Sequence, residues 1–240
     1  MACAISIAIS QITIPDIQQM ETILFDLDGT LLDHFRAIHI AIAHAQNALG
    51  LPESSYETVR ATVGGGIEVT LERLNGTENV TAALPYFHKY FEEVMLAEAE
   101  MLPGAIWLLQ ALKAEGKQLA VFTNKDGDHS RAVLKHFEVD CTVDAIFGTG
   151  DTSYRKPQPE FSLHALETLN ATPEHTILIG DSPFDFQAAE AGGFKCYLVA
   201  TGSHSVEQLA EETTAAGIYP NLFELARDLF DLEPKATCAQ

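Results

Sequence analysis

Four apolar runs, far apart in the chain, each end on side chains able to do chemistry. Asp26 and Asp28 close Thr22–Thr30 (TILFDLDGT), and Thr123 and Asn124 close Leu119–Asn124 (LAVFTN). Lys156 stands in Arg155–Pro159 (RKPQP), and Asp181 and Asp185 lie in Thr176–Asp185 (TILIGDSPFD). This set suits phosphoryl transfer with an aspartate nucleophile and a divalent metal, a reaction that needs positioning and charge stabilisation more than covalent help. Asp26 and Asp28, two apart at a strand end, point to one side unless the backbone turns between them. Like charges that close need a cation or a shared proton. A lone D-x-D reads as an Asx turn, but three further segments converge on the same strand edge. A dianionic phosphate among carboxylates demands compensating charge, and Lys156 with one divalent metal is the smallest set that supplies it. A solvated surface lysine is the commoner fate of that residue type, and Arg155 competes for the role. Asp185, at helix position N3, would also face the helix dipole favourably in a protein that bound nothing. Asp181 has no comparable local explanation.

These residues need strands to aim them. The run ETILFD is β-branched, apolar and short, as buried parallel strands are. The same grammar recurs at Gln118–Thr123, Ala145–Gly148, Thr176–Gly180 and Lys195–Ala200. Between them the pattern predicts helices: from Pro103-Gly104 to Gly116, over Asp128–Phe137 and over Phe161–Leu169. Another opens on Ser182 as N-cap with Pro183 at the first helical position and stops at Gly192-Gly193. Alternating strands and helices imply a doubly wound, Rossmann-like α/β parallel sheet. The stretch 34–100 breaks the rhythm. Ile38, Ile42, Ala45 and Leu49 recur at helical spacing, as do apolar positions in Leu84–Leu96, with Pro52 and Gly64-Gly65-Gly66 as punctuation. An inserted all-helical cap domain is expected there, over the carboxyl end of the sheet where ligands bind in open α/β folds. The organisation is then an N-terminal extension 1–20, a core of 21–33 and 101–232, a cap of 34–100 and a tail 233–240, with a closing helix over Leu222–Leu232.

A chain of 240 residues, 47% hydrophobic, can bury a substantial core. Its formal net charge of −20 argues against nucleic acid or an anionic membrane as partner. The cysteines Cys3, Cys141, Cys196 and Cys238 show no CxxC spacing, which favours free thiols in a reducing cytoplasm over a zinc site. The opening MACAISIAIS is too short to span a bilayer and lacks the basic region of a secretory signal. An extra strand or a loose leader is the expectation.

FDLDGTLLD, FTN, RKP and GDSPFD resemble, in order, the four motifs of the haloacid dehalogenase superfamily, and the helical insert is similar to its helical-cap branch, which includes phosphoglycolate phosphatases. The resemblance covers about Glu21 to Leu229. It implies that Asp26 is the nucleophile, forming an aspartyl-phosphate, and that Asp28 acts as acid and then base. It implies a Mg²⁺ site from Asp26, the Asp28 backbone carbonyl and Asp181, with Asp185 as ligand or support. Thr123 and the backbone at Asn124 would hold phosphate oxygens, and Lys156 would neutralise phosphate and Asp26. Asp28 disfavours the dehalogenating and phosphonate-cleaving branches, which lack or replace it. Thr30 leans away from the β-phosphoglucomutase branch, where valine is usual. The expected activity is therefore a cytoplasmic, Mg²⁺-dependent phosphatase of small phosphomonoesters, monomeric or homodimeric. A phosphomutase is the alternative, and a non-enzymatic regulatory protein a lesser one. Substrate choice is expected in the cap. Candidates are Gly65 in the glycine triplet, which could offer N–H groups to an anion, and His34, which either packs or reaches the substrate. The cap bases Arg36, Arg60, Arg73 and Lys89 could read a carboxylate. Lys125 fits the phosphoglycolate phosphatase group's TNK or simply starts the next helix.

Overall fold

The apolar runs become the inner strands of one sheet. A computed structural model describes residues 20–234, so the expectations for 1–19 and 235–240, Cys3 and Cys238 included, lie outside the described residues. In chain order the elements begin with β1 (Thr22–Phe25) and β2 (Leu32–Asp33). Four helices follow: α1 (Phe35–Ala48), α2 (Tyr56–Thr62), α3 (Ile67–Asn75) and α4 (Thr77–Val94). The chain continues through β3 (Glu100–Met101), α5 (Ala105–Ala114), β4 (Gln118–Asp126), α6 (Gly127–His136), β5 (Ala145–Thr149) and α7 (Pro159–Leu169). It ends with β6 (Thr176–Gly180), α8 (Pro183–Gly192), β7 (Lys195–Val199), α9 (Val206–Glu212), β8 (Gly217–Tyr219) and α10 (Leu222–Phe230).

Six strands form a parallel sheet in the order β5-β4-β1-β6-β7-β8. Both faces are covered, which is why the strands read as continuous apolar runs. Ile23 and Phe25 of β1, Val121 of β4 and Ile179 of β6 pack on one side with α5 and α10. Leu24, Phe122 and Leu178 pack on the other with α7 and α8. Burying a side chain of this size contributes about 1.5–3 kcal/mol. The order reverses at β1, whose neighbours are β4 and β6, so the carboxyl ends of these three strands meet at the switch point. Phe25 is in register with Val121 and Ile179. Asp26, Thr123 and Asp181 therefore emerge one or two residues beyond the last shared rung.

The helical insert has its own core, built from Ile38, Ala41, Ile42 and Ala45 of α1, Leu71 of α3, and Phe87 and Phe91 of α4. Its two connections to the sheet run side by side as the antiparallel pair β2 and β3, with Leu32 opposite Met101 and Asp33 opposite Glu100. Two- and three-residue strands such as β2, β3 and β8 leave no periodicity to read, whereas α9, absent from the expectations, opens on a capping box of Ser205 with Gln208. β4 runs three residues past the expected Thr123, with a register shift between Phe122 and Asp126, because Asp126 pairs with Thr149 at the sheet edge. Cys141 and Cys196 are free thiols. Among the described residues no helix is long and apolar enough to cross a membrane.

Candidate active site

β1 ends at Phe25, and the Asp26 N–H still donates to the Ile179 carbonyl at 2.9 Å, so the first carboxylate is set by sheet hydrogen bonding. The chain then turns tightly: the Leu31 and Leu32 N–H groups both return to the Leu27 carbonyl. Gly29 makes the turn possible. Its φ is +93°, and a Cβ there would lie 2.6 Å from Asp181 Oδ2. The turn and the second acidic segment are thereby packed against each other.

Lys156 reaches this point from the loop after β5. Its Nζ lies 2.7 Å from Asp26 Oδ1 and 2.6 Å from Asp185 Oδ1, with all three side chains buried. Asn124 fixes the lysine through its backbone: Oδ1 accepts from the Lys156 N–H at 2.7 Å, and Nδ2 donates to its carbonyl at 3.0 Å. The side chain of Asn124 thus serves Lys156. Asp185 Oδ2 accepts from Ser182 Oγ at 2.6 Å and from the Ser182 and Asp181 N–H groups, forming the capping box of α8. One carboxylate thus caps α8 and pairs with Lys156. Asp181 Oδ2 accepts from the Ser203 N–H at 3.3 Å.

Carboxylate oxygens of Asp26, Asp181 and Asp185 lie within 4.8 Å of one another, all buried. With Asp28, the site holds four carboxylates against two ammonium groups, Lys156 and Lys125. Burial pushes Asp26 up to about 6, with the charges of Asp185 and Asp28 adding to the effect of burial and Lys156 opposing it. Burial, then the Asp26 and Asp185 charges, hold Asp181 well above its ordinary range. Lys156 is raised: burial works against the charge, but Asp185 and Asp26 outweigh it. A buried, oxygen-only donor set with excess negative charge fits a hard divalent cation such as Mg²⁺.

Asp28 sits in a different environment. Burial pushes it up, but the Lys125 ammonium and His34 more than reverse this and hold it below the ordinary carboxylate range. Lys125 Nζ lies 3.0 and 3.3 Å from its two oxygens. His34 is fully buried, its Nε2 donating to the Met95 carbonyl at 2.6 Å and its Nδ1 3.6 Å from Asp28 Oδ1. His34 lies beside Asp28 and is not among the residues lining the cavity. The sequence offers Lys125 two places, in the TNK or at the start of the next helix, and the structure sets its ammonium on Asp28. The signal was its place two residues after Thr123 at a strand end.

The cavity in front of these groups measures about 530 Å³. The sheet edge contributes Asp26, Asp28, Thr123, Asn124, Lys156 and Asp181 to its wall. The insert contributes the glycine triplet with Phe87, His88 and Phe91. Gly65 packs on the Phe184 ring, where a Cβ would come within 2.8 Å of the ring. Of the bases in the insert, Arg60 donates to the Thr201 and Gly202 carbonyls, Arg36 pairs with Glu98, and Arg73 donates to the Thr62 carbonyl. Arg155 pairs with Glu68 at 2.8 Å, which leaves the buried position to Lys156.

Residues 23–199 match the family model described as haloacid dehalogenase-like hydrolase. Over 76% of this chain and 86% of the relative, the sequence is 32% identical to a phosphoglycolate phosphatase of Aquifex aeolicus. A phosphoglycolate phosphatase of Nitrosospira multiformis is 30% identical over 87% of this chain and 95% of its own. The crystal structure of a predicted phosphatase from Clostridium acetobutylicum superposes with a TM-score of 0.81 at 27% identity, covering 89% of this chain and 99% of that one.

Proposed function

The chain belongs to the haloacid dehalogenase-like hydrolase family, and from that premise we propose that it is a Mg²⁺-dependent phosphatase of small phosphomonoesters of the phosphoglycolate type. The observation that carries the reading is the pairing of buried Asp26 with Lys156 inside a three-carboxylate cluster. The relatives named as phosphoglycolate phosphatases support the substrate class.

Asp26, Asp181 and Asp185 would hold Mg²⁺, together with the Asp28 carbonyl; the ion would supply positive charge to the phosphate oxygens. Lys156 supplies the protein's own share of that charge, and Thr123 offers a buried hydroxyl to the phosphate. An Asp26 oxygen attacks phosphorus, the P–O bond to the leaving group breaks, and the leaving oxygen takes a proton from Asp28. Asp28 then takes a proton from water, the resulting hydroxide attacks phosphorus, and the bond to Asp26 breaks to release phosphate. In the resting site Asp28 is ionised. Phosphate charge arriving beside it raises its affinity for a proton, so Asp28 takes one up from solvent as substrate binds, gives it to the leaving oxygen, and is reprotonated by the attacking water.

We assign 21–33 and 101–232 to a catalytic core and 34–100 to a cap that closes over the substrate and excludes water. Phosphate release from a panel of phosphomonoesters, 2-phosphoglycolate included, with Mg²⁺ and with EDTA, tests the proposal. Metal-dependent release with one preferred substrate supports it; no metal-dependent release on any substrate refutes it.

A further inference from the structure

Lys125 has no part in the chemistry above, yet its placement is costly. Its side chain is 6% exposed, and a lysine is seldom buried without partners. On one side it meets the carboxylate of Asp28; on the other its Nζ stands 4.8 Å from the ring centroid of Phe91 on α4. Those two contacts, an ion pair and an aromatic face, offset the loss of water. An ammonium has three donors, and two carboxylate oxygens do not exhaust them.

The position matters as much as the contacts. In the mechanism above the leaving oxygen takes its proton from Asp28, and Lys125 Nζ lies 3.0 Å from that carboxylate, so a group bonded to that oxygen would come near Lys125. The cavity wall beyond combines the apolar Ile38, Phe87 and Phe91 with the imidazoles of His88 and His129. The other lysine and arginine lining the cavity are engaged elsewhere. Lys156 is held by two carboxylates at the phosphate end, and Arg155 is paired with Glu68. Among the described residues, Lys125 is the cavity's lysine or arginine on the leaving-group side.

We infer that Lys125 determines specificity by binding a carboxylate carried on the leaving group close to the ester oxygen. It thereby selects phosphorylated hydroxy acids over phosphates of neutral alcohols. The inference rests on the phosphatase reading and deepens it.

The test compares wild type, Lys125→Met and Lys125→Arg on 2-phosphoglycolate and ethyl phosphate with Mg²⁺. A charge-assisted hydrogen bond corresponds to roughly a 10- to 100-fold effect. Lys125→Met should lower kcat/KM for 2-phosphoglycolate by that factor beyond its effect on ethyl phosphate, mostly through KM, with partial recovery in Lys125→Arg. An equal loss on both substrates, with active wild type, overturns the role of Lys125 and leaves the phosphatase reading intact. No Mg²⁺-dependent release by wild type from either substrate overturns both. Calorimetric binding of 3-phosphonopropionate and propylphosphonate gives a readout that needs no turnover. Wild type should prefer the carboxylate-bearing phosphonate and Lys125→Met should not; a preference that survives Lys125→Met overturns the inference.

Discussion

Asp26 and Asp28 are two residues apart and live in opposite electrostatic worlds. Asp26 shares its lysine with Asp185 and faces further carboxylates, so it holds a proton up to about pH 6 in the metal-free protein. Asp28 has Lys125 nearly to itself and stays ionised. The first consequence is chemical: Asp26→Asn should abolish turnover, by roughly a thousandfold or more, while circular dichroism remains that of the wild type. The second is thermodynamic. A carboxyl whose folded pKa is raised takes up a proton on folding, so its contribution is fully present below the unfolded value and lost as pH rises through the folded one. With EDTA present, the urea midpoint should fall between about pH 4 and about pH 7, the interval from the unfolded value to just above the folded one. Asp26→Asn should flatten that fall, and an unchanged slope in the variant would assign the pH dependence to other groups.

At the scale of elements, the turn after β1 and the start of α8 hold the acidic groups together. Ser182→Ala removes the 2.6 Å bond to Asp185 Oδ2 and should cost about 1 kcal/mol of stability. It should also weaken Mg²⁺ binding measured by calorimetry, because Asp185 then loses one of its restraints. Gly202→Ala tests the same cluster from the other side: a Cβ there would occupy the place of the Asp181 carboxylate. Its Mg²⁺ affinity should drop at least roughly tenfold, the effect of losing one charge-assisted contact. Wild-type affinity in that variant would remove Asp181 from the metal site.

These elements differed in how well the sequence declared them. The inner strands were legible because burial on both faces leaves an unbroken apolar run, and α8 because Ser182 and Pro183 are start signals with a mechanism. β2, β3 and β8 have two or three residues each, too few for any period. Asp26, Asp28, Thr123 and Asp181 were nameable because they follow apolar strand runs, and Lys156 and Asp185 because RKP and GDSPFD resemble family motifs. Lys125 and His34 were nameable as candidates but their roles were not, since their partners, Asp28, Phe91 and the Met95 carbonyl, are brought to them by tertiary packing alone.

Across the whole molecule, the insert touches the core around the cavity through contacts of unequal worth. The Arg155–Glu68 pair is about half exposed on both sides, and such pairs contribute at most about 1 kcal/mol. Glu68→Gln should therefore leave the melting temperature nearly unchanged. Arg60 donates to two backbone carbonyls beside Asp181 and lies over the Phe35 ring at 5.1 Å. Arg60→Met should raise susceptibility to limited proteolysis and raise KM several-fold, by about the value of one or two hydrogen bonds. If Mg²⁺ with an inert phosphate analogue gives no protection from protease in wild type, closure of the insert over the core is wrong.

The paired register of Leu32 with Met101 and Asp33 with Glu100 has a further consequence. The chain leaves the sheet and rejoins it at one spot, so everything between is, to the sheet, a single long loop whose ends are already pinned together. Closing a longer loop between pinned ends costs only slightly more entropy. The intervening segment is therefore a cassette: its length and identity can change from one relative to the next while β1, β4 and β6 keep their rungs, and new substrates can be reached without renegotiating the fold that carries the chemistry.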